Sequence, residues 1–244
     1  MTTPIEAAAG IIRKARRLFV LTGAGMSAES GVPTFRGGGE SATWRGMPYT
    51  ALSSAEMIET NLPLVWEWFD HRRSVLAECR PNAGHLALAA AQQKGPFESL
   101  TLVTQNIDGL HSDAGSTDVI ELHGNIHEAR CRKCEAVELI GDHRAEGPPV
   151  CRICNDAMRP NVVLFGEMLD LRTVKRAYKA AEMCDVCLVV GTSAVVSPAN
   201  TLPSLAIGNG AQLIELNPEE TPLTAIADVS IRAPSAEVLI SLFR

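Results

Sequence analysis

The chain of 244 residues contains no apolar run approaching ~20 residues, the length that a membrane-crossing helix needs. It has no surplus of positive charge either. Lys and Arg total 22 against 28 Asp and Glu, a net charge of −6. A protein whose main partner is nucleic acid needs the opposite balance to neutralise phosphates. The order of a secretion signal is also missing, because in "MTTPIEAAAGIIRKARR" the basic residues follow the apolar ones. That segment instead predicts an amphipathic helix. The chain is therefore expected in the cytoplasm, with no membrane partner and no direct nucleic-acid binding. Its seven cysteines are then expected to stay reduced, which favours metal binding over disulfides. With no internal repeat and no low-complexity tract, the length fits one large domain, or a main domain with a small insert.

What is present is an alternation of strands and helices. The composition is 46% hydrophobic, enough for a sizeable core. Strands are predicted at 17–23 ("RLFVLTG"), 100–106, 118–124, 187–193, 211–218 and 229–232. Several are continuous apolar runs, as suits strands covered on both faces. Helices are predicted at 3–16, 62–79, 83–94, 171–183, 198–208 and 236–243. This order implies a doubly wound α/β sheet. Two stretches interrupt it. Residues 31–49 are rich in Gly and Pro and read as a long loop, and residues 131–154 carry four cysteines with little strand or helix signal.

Those cysteines fall as "CRKC" and "CRIC", Cys131, Cys134, Cys151 and Cys154. Two CxxC turns facing each other match a closed tetrahedral zinc site, and four thiolates leave no open position for chemistry. A further CxxC, Cys184 and Cys187, enters an apolar strand without a second pair nearby and reads as structural.

A nucleotide site is suggested by "VLTGAGMSAESG", where Gly23, Gly25 and Ala28 fit G-x-G-x-x-G/A directly after a strand. The acidic residue expected about twenty positions later is missing, so an ordinary dehydrogenase is a poor reading. Three other strand ends carry polar residues: 104–108 ("TQNID"), 191–193 ("GTS") and 215–219 ("ELNPE"). In open α/β sheets ligands sit beyond the carboxyl ends of the strands. His123 lies at another such end, before the cysteine-rich insert, where a general base would serve. His127 reads as a zinc neighbour or a surface residue, and His111 as the start or cap of a helix.

Taken together, "GAGMSAESGVPTFRG", "TQNIDGLH", "ELHGN", the four cysteines, "RPNVVLFGE", "VVGTSAVVSPA" and "IELNPEETPLT" resemble the sirtuins, NAD-dependent protein lysine deacylases. The matching stretches run in order from Gly23 to Thr224. "SAESGVPTFR", "PNAGH" and "WRG" resemble the class III branch, which includes desuccinylases and many bacterial and archaeal deacetylases. The resemblance implies a Rossmann-like large domain at about 1–30, 80–125 and 160–244, and a small domain from inserts at about 31–79 and 126–159 that holds a zinc ribbon. NAD and an acyl-lysine protein or peptide are expected to meet between them.

By that resemblance Gly23, Ala24 and Gly25 hold the NAD phosphates, and Phe35 and Arg36 lie on a loop over NAD. Gln105, Asn106, Ile107 and Asp108 shape the ribose and nicotinamide pocket. Gly191, Thr192, Ser193, Asn217 and Ala233 line the phosphate, ribose and adenine end. Val162, Phe165 and Gly166 pair with the substrate main chain and flank its lysine. His123 is the general base, and Asn106 and Asp108 complete the catalytic set. NAD then acts as a co-substrate, with free lysine, nicotinamide and O-acyl-ADP-ribose as products. The same scaffold leaves open an ADP-ribosyltransferase, an NAD glycohydrolase, or a non-catalytic NAD or ADP-ribose sensor.

In "VWEWFDHRR", Val65, Phe69, Arg72 and Leu76 share a helix face at spacings of 4, 3 and 4. Arg72 is thus expected on the apolar stripe and Arg73 towards its edge, solvated or paired. In the desuccinylase-like branch the helix carries Tyr-x-x-Arg, which binds acidic acyl groups; here Phe69 stands in place of Tyr. A lost hydrogen bond to a charged group, worth about 1.5–3 kcal/mol, predicts a deacetylase with weak desuccinylase activity.

Overall fold

A computed structural model describes residues 2–33, 43–140 and 147–244. Phe35 and Arg36 lie outside the described residues. The chain opens with α1 (Pro4–Ile12), started by a capping box between Thr3 and Glu6, and enters β1 (Arg17–Thr22). A glycine turn leads to the short α2 (Gly25–Ala28). Then come the hairpin β2 (Thr43–Trp44) and β3 (Met47–Pro48), and the helices α3 (Tyr49–Leu52), α4 (Ala55–Thr60), α5 (Leu62–Leu76) and α6 (Ala83–Lys94). The chain continues through β4 (Ser99–Thr104), α7 (Leu110–Asp113), β5 (Ile120–Glu121), β6 (Gly124–Cys131), β7 (Val137–Leu139) and β8 (Met158–Val162). It ends with α8 (Leu171–Met183), β9 (Val186–Val190), α9 (Thr201–Gly208), β10 (Gln212–Leu216), β11 (Val229–Ile231) and α10 (Ser235–Leu242).

Six strands form one parallel sheet in the order β11-β10-β9-β1-β4-β5. Side chains alternate across it. Leu18, Val20, Leu102, Leu188, Val190 and Ile214 pack with α1, α6 and α10 on one face. Phe19, Leu21, Val103, Cys187 and Val189 pack with α8 and α9 on the other. The sheet is therefore doubly wound, as the sequence predicts. Cys184 and Cys187 are both buried in this second layer, which fits their structural reading.

A third core lies outside the sheet. Ile58, Val65, Trp66, Phe69 and Leu76 pack on Ile126, Ala129, Met158 and Val162. Beneath them β6 pairs antiparallel with β7 and β8. The sequence shows little of this ribbon, because β7 has three residues and its pairing comes from β6 rather than from its own apolar pattern. The predicted strand at 118–124 is reduced to the two residues of β5, since Asp118 adopts a left-handed conformation and the chain turns at Leu122 and His123 before β6 starts at Gly124.

Helix α5 corrects the reading of its arginines. Its buried residues are Leu62, Val65, Trp66, Phe69, Arg73 and Leu76, so Arg73 occupies the apolar stripe and Arg72 its edge. Burial of Arg73 is tolerated because Asp70, one turn earlier, pairs with it, the Ile126 carbonyl accepts from it at 3.3 Å, and Trp66 lies under its guanidinium.

Candidate active site

Register places the carboxyl ends of the central strands side by side. Thr22 of β1 is level with Thr104 of β4 and Val190 of β9, and Val190 with Leu216 of β10. The strand order reverses between β1 and β9, the position where doubly wound sheets take their ligands. Gly23, Ala24 and Gly25 follow β1 there, against Gly191, Thr192 and Ser193 after β9. Gly25 donates to the Gly191 carbonyl at 2.8 Å. A Cβ on Gly191, which has φ +59, would lie 2.4 Å from the Met26 nitrogen. A Cβ on Gly25 would lie 2.7 Å from the Gly191 Cα. Only glycines let these two turns touch, and their contact keeps the backbone low enough for a pyrophosphate to approach.

The loop after β4 is tied to both neighbours. Gln105 donates to the Thr192 hydroxyl at 3.0 Å, and Asn106 to the Gly23 carbonyl at 3.0 Å. Asp108 is buried; one carboxylate oxygen accepts from Ser27 at 2.7 Å and the other from the Leu110 N–H at 3.0 Å. Burial pushes the Asp108 carboxyl up, while Ser27, Leu110 and the charges of Arg72 and His127 pull against it. Ile107 borders the third core, next to the cluster that contains Phe69.

His123 is half-buried, and its Nδ1 lies 2.8 Å from the Gln105 carbonyl oxygen. A carbonyl only accepts, so Nδ1 carries the hydrogen and Nε2 presents its lone pair. Burial lowers the His123 pKa, against the opposing effect of the Gln105 bond. The site thus holds a neutral, oriented imidazole, as a general base requires.

At the adenine end proposed from the sequence, Asn217 follows β10 with its side chain donating to the Glu219 carbonyl at 2.8 Å, and half-buried Ala233 follows β11. Val162 is buried at the end of β8, Phe165 is 53% exposed, and Gly166 has φ +89. Both main-chain polar groups of Phe165 are engaged, with the Ser53 carbonyl at 2.8 Å and the Ala55 N–H at 3.0 Å, and its half-exposed ring lies beside that of Tyr49, centroids 6.2 Å apart. Phe69 is buried at 1% exposure. Arg72 is half-buried, near Trp68, and burial draws its pKa to about 10 against the pull of Asp108.

Two histidines have partners that the sequence did not show. His111 lies in the first turn of α7, as read, but it is buried, with Nε2 3.0 Å from the Thr22 hydroxyl. His127 stays away from the cysteines, with Nε2 3.3 Å from the Asp108 carbonyl oxygen. Sequence reasoning also missed Ser27 and His85, whose side chains lie 3.5 Å apart beneath the glycine turn. Both had a local signal: Ser27 follows the turn's second glycine by two residues, and His85 closes the capping box begun by Asn82.

The sulfurs of Cys131, Cys134, Cys151 and Cys154 lie within 4.8 Å of one another. Main-chain N–H groups of Lys133 and Cys134 point at the Cys131 sulfur and Ile153 N–H at that of Cys151, each at 3.4 Å. Four converging sulfurs with N–H support suit a tetrahedral zinc with no open position.

An open sheet with a glycine turn at its switch point, and a cysteine-held ribbon beside it, defines the class: a Rossmann-like protein with a metal-ribbon insert. The model of the Sir2 family matches residues 23–198, and the chain belongs to that family. It is 44% identical over 233 residues to the NAD-dependent protein deacylase of Aquifex aeolicus, covering 93% of each chain. A Sir2 homologue solved as an NAD complex superposes with a TM-score of 0.89 at 40% identity, covering 98% of this chain and 92% of that one. Sir2Tm bound to a propionylated peptide gives a TM-score of 0.83 at 30% identity, covering 97% and 96%.

Proposed function

We propose that the chain is an NAD-dependent protein lysine deacylase, which yields deacylated lysine, nicotinamide and O-acyl-ADP-ribose. The observation that carries this reading is His123, a neutral imidazole fixed by Gln105 at the end of the cleft that the glycine turns open. NAD supplies the leaving nicotinamide and the ribose that receives the acyl group. Gly23, Ala24 and Gly25 cradle its phosphates, and Gly191, Thr192, Ser193, Asn217 and Ala233 line the rest of the dinucleotide. Gln105, Asn106, Ile107 and Asp108 surround the ribose and nicotinamide. Phe35 and Arg36 are assigned to the same cofactor from sequence alone. His123 takes a proton from a ribose hydroxyl at Nε2. Val162, Phe165 and Gly166 receive the acyl-lysine peptide. Cys131, Cys134, Cys151 and Cys154 hold one zinc that shapes the ribbon and takes no part in the chemistry.

The separate core around Phe69 and Met158 supports a division into a large domain (about 1–30, 80–125 and 160–244) and a small one (about 31–79 and 126–159). Among the described residues no helix is long and apolar enough to cross a membrane. We place the protein in the cytoplasm because its paired cysteines converge as a metal site rather than as disulfides.

Phe69 and Arg72 govern the acyl chain in this reading. Arg72 offers an acidic acyl group a bidentate partner, and Phe69 lacks the hydroxyl that would assist. Phe69→Tyr should raise turnover of succinyl-lysine relative to acetyl-lysine by about ten- to a hundred-fold. Parallel kcat/KM measurements on the two peptides check this, and an unchanged ratio removes Phe69 from the specificity account.

A further inference from the structure

We infer that the Arg159–Glu167 pair is a positioning clip, which fixes the acyl-peptide-binding segment 162–166 in register with His123. The inference rests on the deacylase reading of the site.

Arg159 lies in β8, before the segment, and Glu167 directly after it. Arg159 is 8% exposed. Its two terminal nitrogens meet the two carboxylate oxygens of Glu167, one of them at 2.8 Å. This is the fork-to-fork geometry that gives arginine–carboxylate pairs directional strength. The same two groups also hold main chain. Arg159 Nη2 donates to the Val162 carbonyl at 2.9 Å, and Glu167 Oε2 accepts from the Leu164 N–H at 2.9 Å. The guanidinium thus fixes one side of the turn and the carboxylate the other. Glu167 N–H donates to the Leu164 carbonyl at 3.0 Å, and Gly166 with φ +89 lets the chain reverse. Burial pushes the Glu167 carboxyl up, but Arg159 and the Leu164 N–H outweigh it and leave it below its ordinary range, so the pair is ionised.

The clipped turn is joined to the rest of the site at two points. Val163 N–H donates to the carbonyl of His123 at 2.9 Å, and Phe165 is bonded to Ser53 and Ala55. Main-chain groups of 162–165 are therefore largely committed within the protein. Among the described residues, the Val163 carbonyl and the N–H and carbonyl of Gly166 have no internal hydrogen-bond partner. They are the groups left for an extended peptide to pair with. Their direction depends on the turn, and the turn depends on Arg159 and Glu167. Neither side chain needs to touch substrate for its loss to misalign the acyl-lysine against the base.

The test uses the full-length protein with NAD and an acetyl-lysine peptide, comparing wild type, Glu167→Gln and Arg159→Lys. The clip predicts that Glu167→Gln raises the peptide KM about tenfold and leaves the KM for NAD within about twofold, because one charge-assisted bond is weakened at the peptide segment alone. Arg159→Lys, which keeps the charge and loses the fork, should show the same split to a smaller degree. An unchanged peptide KM in a folded variant overturns the clip. So does a rise of both KM values by the same factor, since that marks a general structural role. If Glu167→Gln does not fold, Arg159→Lys carries the measurement; if neither folds, the pair serves stability and the clip is likewise overturned. A wild-type protein that releases no nicotinamide defeats the deacylase reading itself, whereas an active wild type with insensitive variants defeats the clip alone.

Discussion

His123 shows how one contact decides a residue's chemistry. Its strand end was visible in the sequence, but its tautomer was not, because that depends on the Gln105 carbonyl eighteen residues away. The fixed tautomer and the burial together predict the pH behaviour. The neutral ring is the active form and protonation removes it. Burial lowers the folded pKa, so activity should survive below the ordinary imidazole value. The acid limb of kcat/KM should have its midpoint below about 6.5. His123→Ala should abolish turnover and leave thermal unfolding little changed. A midpoint at or above the ordinary value, or an active variant, would remove His123 from the role of base. His111 teaches the converse. Its place at the start of a helix was legible, but its partner is Thr22, on a strand 89 residues away, and no local pattern reports that.

At the scale of elements, legibility followed local cause. Helices α6 and α8 match their predicted bounds, and both begin at a side-chain cap, Asn82 and Asp170. Helix α5 was found with Val65, Phe69 and Leu76 on its buried face as read, and only its arginine differs. Periodicity assigned Arg72 to the stripe, whereas Asp70, Trp66 and the Ile126 carbonyl make Arg73 the buried arginine. The ribbon was legible as a metal site and illegible as a sheet, since its strands depend on one another and on the cysteines. That dependence gives a prediction. The purified protein should carry about one zinc per chain, and Cys151→Ser or removal by a chelator should lower both the melting temperature and the activity together. Metal analysis with thermal melts and the deacylation assay checks this. A metal-free protein with full stability and full rate would refute the structural zinc.

Across the whole molecule, the alternation of apolar strands and helices was enough to predict a doubly wound sheet. The strand order was not readable, because nothing local states that β9 inserts beside β1. That crossing brings Gly191 onto Gly25 and places the polar strand ends in one cleft, so the site exists only at this scale. The third core sets the ribbon beside that cleft, with Ile107 and Phe69 in contact with the same cluster. A base and a dinucleotide cradle would suit several NAD-consuming reactions; Sir2 family membership and relatives that are NAD-dependent protein deacylases favour deacylation among them. The most direct test incubates the purified protein with NAD and an acetyl-lysine peptide and follows all products by mass spectrometry. The account predicts deacetylated peptide, nicotinamide and O-acetyl-ADP-ribose in equal amounts. Free ADP-ribose or ADP-ribosylated protein with the acetyl group still on the lysine would contradict it.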